Sequence, residues 1–478
     1  MGSPTWDSLG AGLDGDLVLP GDARYDLARQ LQLAEFDTVR PAAVAYCATP
    51  ADVQASVTFA AANALPVAAR SGGHHFAGWS TGTGLVIDLS RIAHIEGRPG
   101  RVRLGPGAQA VDALVALAAD GLEVVTGICP TVCPAGFVTG GGLGLQTRRF
   151  GPASDHLLAA TLVTADGRLV RCSAEEEPDL YWALRGGGAA SFGVVVDLEL
   201  SPVPIGRTVG FTVVWPYDRA LDLLEHWQEW IAAAPPGLGA EIGPVLMDAA
   251  PGAVPTVLMF GAYQGTRADF DDLLAGLCAA AGATPLMADI EEGTHEEVTL
   301  GLYRCRDLTP AQRRRTGTTP DGLLPRQPYL RERHRFLPGP LGRDALERAL
   351  EIFDGDRRPG QLRHVALTAL GGAAAEVGRT ETAYVHRDAR FLAKFTAVGL
   401  LDEPAEGDIA FAEEWADRGF ALLDLFSDHH SYVNYPDPEL DDWRWAYYGE
   451  NYERLAEVKK SLDPHGLFVF PQSIGSGR

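Results

Sequence analysis

Two side chains in this sequence have the chemistry of nucleophiles and sit on glycine-rich backbone. His74 lies in Arg70-Ser71-Gly72-Gly73-His74-His75, and Cys129 lies in Gly127-Ile128-Cys129-Pro130-Thr131-Val132. Downstream of Cys129 come Gly136 and the run Gly140-Gly141-Gly142-Leu143-Gly144. Glycine lets backbone approach a flat or phosphorylated ligand and tolerates positive φ. A His and a Cys both presented this way suggest two covalent tethers to one cofactor. Cys129 must be a thiolate to attack, and the glycine-rich segment after it is expected to lower its pKa through N–H groups.

The elements that would carry these groups read as follows. Thr49 is an N-cap, Pro50 the first helical residue and Asp52 a first-turn acid, so a helix runs to near Asn63. Leu65 to Ala69 is a strand that feeds the His74 turn, and Gly84 to Leu89 is another. A helix over Val111 to Ala119 and a strand over Leu122 to Thr126 deliver Cys129. Leu158 to Thr164 and Arg168 to Cys172 form a hairpin across Ala165-Asp166-Gly167. A short helix, Pro178 to Leu184, precedes Gly186, Gly187 and Gly188, and Gly193 to Leu200 is a strand. After Ser201-Pro202-Val203-Pro204 the pattern shifts to helices over Asp218 to Ala232 and Asp269 to Ala281, with strands over Val254 to Ala262 and His364 to Leu370. Residues 310 to 340 read as a surface excursion. Asp441 to Ser461 reads as one helix with Trp445, Tyr448 and Tyr452 on a face.

The chain has 478 residues, 46% of them hydrophobic, with a net charge of −23. That suits a large folded core and argues against nucleic acid and anionic membrane as partners. Any phosphates must be held by backbone N–H groups rather than by a lysine cluster. Cys47, Cys129, Cys133, Cys172, Cys278 and Cys305 are too scattered for a disulfide scaffold. No signal peptide or apolar span is visible, so a cytoplasmic location is expected, with a trimmed secretory signal as the alternative.

At its motifs the chain resembles the FAD-linked oxidases of the berberine-bridge-enzyme-like group, in the vanillyl-alcohol-oxidase superfamily. Arg70 to His74 matches R-S-G-G-H, and Cys129-Pro130-Thr131-Val132 with Gly140 to Gly144 matches C-P-T-V…G-G-G-x-G. Arg149-Phe150-Gly151 and Asp155 follow in order, then Leu184 to Gly188, Ser191-Phe192-Gly193-Val194-Val195, Tyr432-Val433-Asn434-Tyr435 and Gln472-Ser473-Ile474. The resemblance is nearest to bacterial members that oxidise sugars or tailor antibiotics.

The resemblance implies an α+β, two-domain fold. Residues 1–205 and 415–478 would form the FAD-binding domain, and 206–414 an antiparallel sheet backed by helices. FAD would be bicovalent, His74 on the 8α-methyl and Cys129 on C6. Arg70, Ser71, Gly72, Gly73, His75, Thr131, Gly136, Tyr432, Asn434, Val195 and Gly193 would surround it. Gly140, Gly141, Gly142 and Gly144 would approach the pyrophosphate, and Asp155, Gly187 and Gly188 the adenosine or the ring. Tyr435 would be the catalytic base, on the same strand as Tyr432. Its assistant would be Gln361 or His364, Tyr384 would line the pocket, and Val132 would gate O2. Cys133 replaces the family's usual Gly, which a required positive φ would strain.

The expected activity is hydride transfer from a hydroxyl-bearing carbon of a bulky sugar or glycosylated metabolite, with O2 reoxidising the flavin to give H2O2. Alternatives are oxidative ring closure on a secondary metabolite and a catalytically silent flavin-loaded protein. A zinc site of His74, His75, Cys129 and Cys133 lacks C-x-x-C spacing and leaves the glycine run unexplained, so no metal is expected. A monomer or small homo-oligomer is expected.

Overall fold

The computed structural model describes residues 5–476. Its first layer is a four-stranded sheet in the order Asp16–Val18, Ala43–Tyr46, Leu85–Asp88, Val67–Arg70. The last three strands are parallel. The helix Pro50–Ala62 crosses between Ala43–Tyr46 and Val67–Arg70, as parallel pairing requires. Its start follows the sequence. Thr49 and Asp52 form a capping box, and the Asp52 carboxylate also accepts from the amides of Asp14 and Ala48, each at 2.8 Å.

A second, five-stranded antiparallel sheet runs Ile95–Arg98, Arg101–Leu104, Val194–Leu200, Leu157–Val163, Leu169–Ser173. The hairpin lies where the turn residues put it, with Gly167 at φ 79°. The third sheet has seven antiparallel strands, in the order Met287–Gly293, Thr208–Pro216, Thr256–Tyr263, Leu238–Leu246, Gln361–Ala369, Phe391–Gly399, Leu330–Leu337. One face packs Trp215, Phe211, Ile242 and Phe395 on the helices Ala220–Ala233, Arg267–Ala281, Arg343–Asp354 and Asp408–Asp424. The other face looks towards the His74 and Cys129 loops. Residues near the C-terminus, among them Trp443, Tyr447, Leu455 and Ile474, share a core with Leu162 and Leu198 of the five-stranded sheet and with Phe192 just before its strand Val194–Leu200.

Three expectations fail. Leu122 to Thr126 forms no strand and joins no sheet. Val124 and Val125 are buried, so the apolar run marks packing rather than pairing. The expected helix over 441–461 breaks at Gly449, φ 49°, into Trp443–Tyr448 and Tyr452–Leu462. The expected surface excursion ends in the edge strand Leu330–Leu337. That strand alternates two kinds of polar residue, which hides it from a search for apolar alternation. Arg331, Arg333 and Arg335 pair with Glu413, Asp417 and Asp424 at 2.7, 2.8 and 2.8 Å. Glu332 and His334 take the opposite face.

Candidate active site

His74 follows directly from the strand Val67–Arg70, which Arg70 anchors by pairing with Asp88 at 2.6 Å and donating to the Ala28 carbonyl at 2.6 Å. Beyond it, among the described residues, the amides of Gly72 to Phe76 have no hydrogen-bond acceptor. Arg70 Nη1, His75 Nδ1, Ser80 Oγ and Thr81 Oγ1 are likewise buried without partners. Buried polar groups are rarely left unpaired. Consecutive free amides beside orphaned donors form an anion-binding concavity, so this loop fits the diphosphate of a dinucleotide.

The glycine run after Cys129 behaves differently. The amides of Gly140 and Gly141 donate to the carbonyls of Gly136 and Val138, and that of Gly144 to Thr147 Oγ1. The Tyr432 hydroxyl oxygen accepts from Gly142 N at 2.8 Å, Leu143 N at 3.0 Å and Asn434 Nδ2 at 2.9 Å. A Cβ on Gly140 would stand 2.0 Å from Asn434 Oδ1, and one on Gly144 1.9 Å from the Thr126 carbonyl. Gly141, at φ 118°, lies against the Tyr384 ring. The run is therefore spoken for by protein and does not cradle phosphate. Its glycines admit the Tyr432 to Tyr435 segment, a close packing of two distant motifs.

Gly186 to Gly188 and Asp155 also serve the protein. The amides of Gly186 and Gly188 donate to the Thr139 carbonyl, a Cβ on Gly187 would meet the Ala183 carbonyl, and one on Gly193 the Val163 carbonyl. Asp155 receives both guanidinium arms of Arg387, each at 2.7 Å. Val195 belongs to the core. Gly136 is exposed and has open space where a Cβ would go. Tyr384 is buried, with its ring edge-on to His386, and supports the glycine run rather than lining a cleft. Cys133 takes φ −103°, so it carries no strain.

The His74 and Cys129 loops meet. His74 Nε2 lies 2.8 Å from Thr131 Oγ1, two residues beyond Cys129. Burial and the charge of Arg315 lower the His74 pKa to about 4, so its ring is neutral. Cys129 is exposed to the cleft, yet the surrounding protein raises its pKa. The expected help from glycine amides is missing because those amides are engaged. Lys394 supplies the opposing pull.

Lys394 is one of three charged residues near Tyr435 that the motifs did not reveal. It stands on Phe391–Gly399 and forms an ion pair at 2.9 Å with Glu241 of Leu238–Leu246. Glu332 is the third. Burial works against the Lys394 charge, but Glu241, Glu332 and Tyr435 outweigh it and hold its pKa above the lysine range. Burial pushes Glu241 up, and Lys394, His364 and Thr368 more than reverse it. Burial raises Glu332, whose Oε2 accepts from Thr396 Oγ1 at 2.7 Å while Oε1 has no partner. A lone charge in an apolar strand, as in Leu392-Ala393-Lys394-Phe395, is the signal that could have found this cluster.

Tyr435 stands above it. Tyr432 and Tyr435 do not share a strand: the Tyr435 amide donates to the Tyr432 carbonyl in a turn, and the rings meet edge-on at 5.1 Å. The Tyr435 ring stacks on Phe76 at 5.2 Å and 8°, and lies 5.7 Å from Lys394 Nζ. Its hydroxyl has no hydrogen-bond partner among the described residues. Burial raises its pKa and Lys394 draws it down. His364, lowered to about 4 by burial, faces Glu241 at 3.8 Å and leaves Nε2 unpaired. Gln361 is buried at the strand's far end, donating to the Asp408 carbonyl, away from this cluster. A cavity of about 610 Å³ opens beside Cys129, bounded by Ile128, Gln146, Phe260, His295 and Tyr303.

A free phenol over a buried ammonium, beside two nucleophiles and a loop of free amides, is an arrangement for proton removal next to a bound dinucleotide. Comparison with known proteins supports FAD as the dinucleotide. A profile described as FAD binding domain matches residues 41–173, and one described as berberine and berberine like matches 431–475. An uncharacterized FAD-linked oxidoreductase of Bacillus subtilis is 28% identical over 97% of both chains. Xylooligosaccharide oxidase of Thermothelomyces thermophilus is 28% identical over 91% of this chain and 87% of its own. Among solved structures, glucooligosaccharide oxidase from Acremonium strictum, described with a 6-S-cysteinyl, 8α-N1-histidyl FAD, superposes with a TM-score of 0.84. It is 23% identical, over 98% of this chain and 99% of that one.

Proposed function

The chain belongs to the berberine-bridge-enzyme-like FAD-linked oxidoreductases, and on that premise we propose that it is an oxidase with FAD tethered to both His74 and Cys129. In this reading residues 1–205 and those after the helix Asp408–Asp424 hold the cofactor, and the seven-stranded sheet with its helices roofs it. That helix runs through the expected boundary at 415 and packs on the sheet. The substrate is a bulky molecule bearing an oxidisable hydroxyl, of the sugar or glycosylated-metabolite class. FAD, when bound, supplies hydride acceptance and returns the electrons to O2 as H2O2.

Tyr435 carries the reading. Its hydroxyl is unpartnered and its ring stacks on the loop of His74; burial raises its pKa above the free value, and Lys394 opposes that rise. A free tyrosine ionises near ~10, so a base at lower pH needs that cation. As the substrate C–H leaves as hydride, Tyr435 takes the hydroxyl proton. Glu241 keeps Lys394 charged. The unpaired His364 Nε2 and Glu332 Oε1 remain to orient a substrate's other polar groups. The cavity beside Cys129 offers room for the rest of a bulky molecule, and the oxidases acting on xylo- and glucooligosaccharides support the sugar class. Val132, half-buried three residues after Cys129, is the O2 gate in this reading. Val132→Ile would slow reoxidation far more than reduction.

The test is an aerobic H2O2 screen over sugars and glycosylated natural products, followed by anaerobic reduction with each hit. Bleaching of the flavin without O2, and peroxide with it, are the expected pair. A yellow protein that no panel member bleaches would overturn the reading.

A further inference from the structure

Between the helix His295–Leu302 and the strand Leu330–Leu337, the chain crosses from the seven-stranded sheet towards the His74 loop. We propose that Arg315, carried on this crossing, is the cationic partner of the cofactor's diphosphate at the loop from Gly72 to Phe76. The inference rests on the FAD reading above and adds a side-chain charge to a site otherwise built of backbone amides.

The crossing is pinned on two sides. On one, Tyr303 and Cys305 share a core with Ala110, Val111 and Leu114 of the helix Ala110–Ala118, and Arg314 pairs with Asp112 at 3.0 Å. On the other, the Ala34 amide donates to the Gln327 carbonyl at 2.8 Å, and Arg326 pairs with Asp37 at 2.6 Å. Residues 28–33 link this second side to the His74 loop. The Gln32 amide donates to the Gly73 carbonyl at 3.0 Å, and the Leu31 Cα lies 3.8 Å from the site of a Cβ on Gly73. Three guanidinium groups gather on the carbonyls of this stretch. Arg70 donates to Ala28 at 2.6 Å, Arg315 to Gln30 at 3.2 Å and Arg326 to Leu31 at 2.8 Å.

Arg315 differs from its neighbours in having no acid. Arg70 has Asp88, Arg314 has Asp112 and Arg326 has Asp37. Among the described residues no carboxylate stands within ion-pair distance of Arg315. Its two end nitrogens share one oxygen, the Gln30 carbonyl, so three of its five N–H groups have no acceptor. Burial, with the charges of Arg326 and Arg70, pulls its pKa down to about 10. Its charge is felt at His74. A cation set among cations, in a chain of net charge −23, is short of an anion.

The neighbouring groups show which anion fits. The amides of Gly72 to Phe76 and the buried Arg70 Nη1 have no acceptor. Consecutive free amides cradle phosphate oxygens, and a guanidinium presents paired N–H groups to them. The diphosphate carries the charge of oxidised FAD, so it is the part of the cofactor that this arrangement suits.

Phosphorus-31 NMR of the holoprotein reads the diphosphate without turnover. In Arg315→Gln the resonances of the bound diphosphate should move from their parental positions. In Arg313→Gln, the same loss of charge two residues away, they should stay. Affinity is read in the His74→Ala, Cys129→Ala double variant, where FAD is held without a covalent bond. There Arg315→Gln should weaken FAD about ten- to a hundredfold, the scale of a hydrogen bond to a charged group, and leave the binding of riboflavin, which has no phosphate, unchanged. Arg315→Lys keeps the charge without the fork and should fall between. Equal losses for FAD and riboflavin, or parental phosphorus resonances in Arg315→Gln, would overturn the proposal. If the double variant does not fold, the phosphorus comparison in the singly substituted holoproteins decides alone. A parent with no diphosphate signal would overturn the FAD reading and this proposal with it, and would be seen before any substitution is made.

Discussion

The two glycine-rich loops look alike in composition and differ in every hydrogen bond. From Gly72 to Phe76 the amides have no acceptor, and the surrounding polar atoms are orphaned. From Gly140 to Gly144 each amide has an acceptor, and protein occupies the space where most side chains would begin. One loop waits for a ligand and the other has already met its partner, the Tyr432–Asn434 turn. Glycine content alone cannot separate these cases. An account of where each N–H goes does so directly. The contrast extends to the two tyrosines of that turn. The Tyr432 hydroxyl accepts three hydrogen bonds and clamps the filled loop, while the Tyr435 hydroxyl is free above the open one.

The largest expected effect comes from filling a filled place. In Gly144→Ala the new Cβ would collide with the Thr126 carbonyl at 1.9 Å, a backbone atom that cannot swing away. A loss of about 4 kcal/mol or more, in the range of severe core substitutions, should appear as failure to fold or a collapsed melting temperature. Near-parental melting would mean that the loop is not packed as described.

Next comes Tyr435→Phe. Removing one free hydroxyl should leave folding and flavin attachment intact and slow anaerobic flavin reduction about 10²-fold, as for a lost general base. An unchanged rate would make Tyr435 a packing residue like its neighbour. Tyr432→Phe should do the reverse. It strips an acceptor from Gly142, Leu143 and Asn434 at once, so stability should fall by about 2 kcal/mol in chemical denaturation, with the pH dependence of reduction unmoved.

Acid should weaken the fold through its buried histidines. Burial depresses His334 to about 3 and His364 to about 4, and holds His386 well below the ordinary value. Unfolded, each titrates near ~6.5. The unfolded chain therefore takes up protons first. Stability from these groups is complete above that value and drains as pH falls towards 3–4, by roughly 1.4 kcal/mol per pH unit for each histidine. Urea midpoints at stepped pH would show it, and His334→Gln, which keeps an acceptor for the Tyr432 amide, should flatten the slope. The smallest effect belongs to Gly136→Ala. Nothing lies within 4 Å of the new Cβ, so the apoprotein's melting should hardly change, whereas FAD uptake should slow if the cofactor passes there.

Much of this site was legible because it is local. The Thr49 capping box, the Gly167 turn and the positions of His74 and Cys129 each depend on a few consecutive residues. Where the sequence misled, the cause was distance. Gly140 is glycine because of Asn434, nearly three hundred residues later, and no local pattern announces that. The strand Leu330–Leu337 escaped notice because its arginines find their acids on other elements. Lys394 and Glu241 sit on strands of the seven-stranded sheet that meet only through folding, though each stands out as a lone charge among apolar neighbours.

The most direct test of the whole account is to precipitate the purified protein with acid and follow the yellow colour. Both tethers predict that the flavin stays with the pellet and that digestion returns it on peptides containing His74 and Cys129. His74→Ala and Cys129→Ala should each keep it bound through the remaining link, and the double variant should release it. Free FAD in the supernatant of the unmutated protein would contradict the account at its centre.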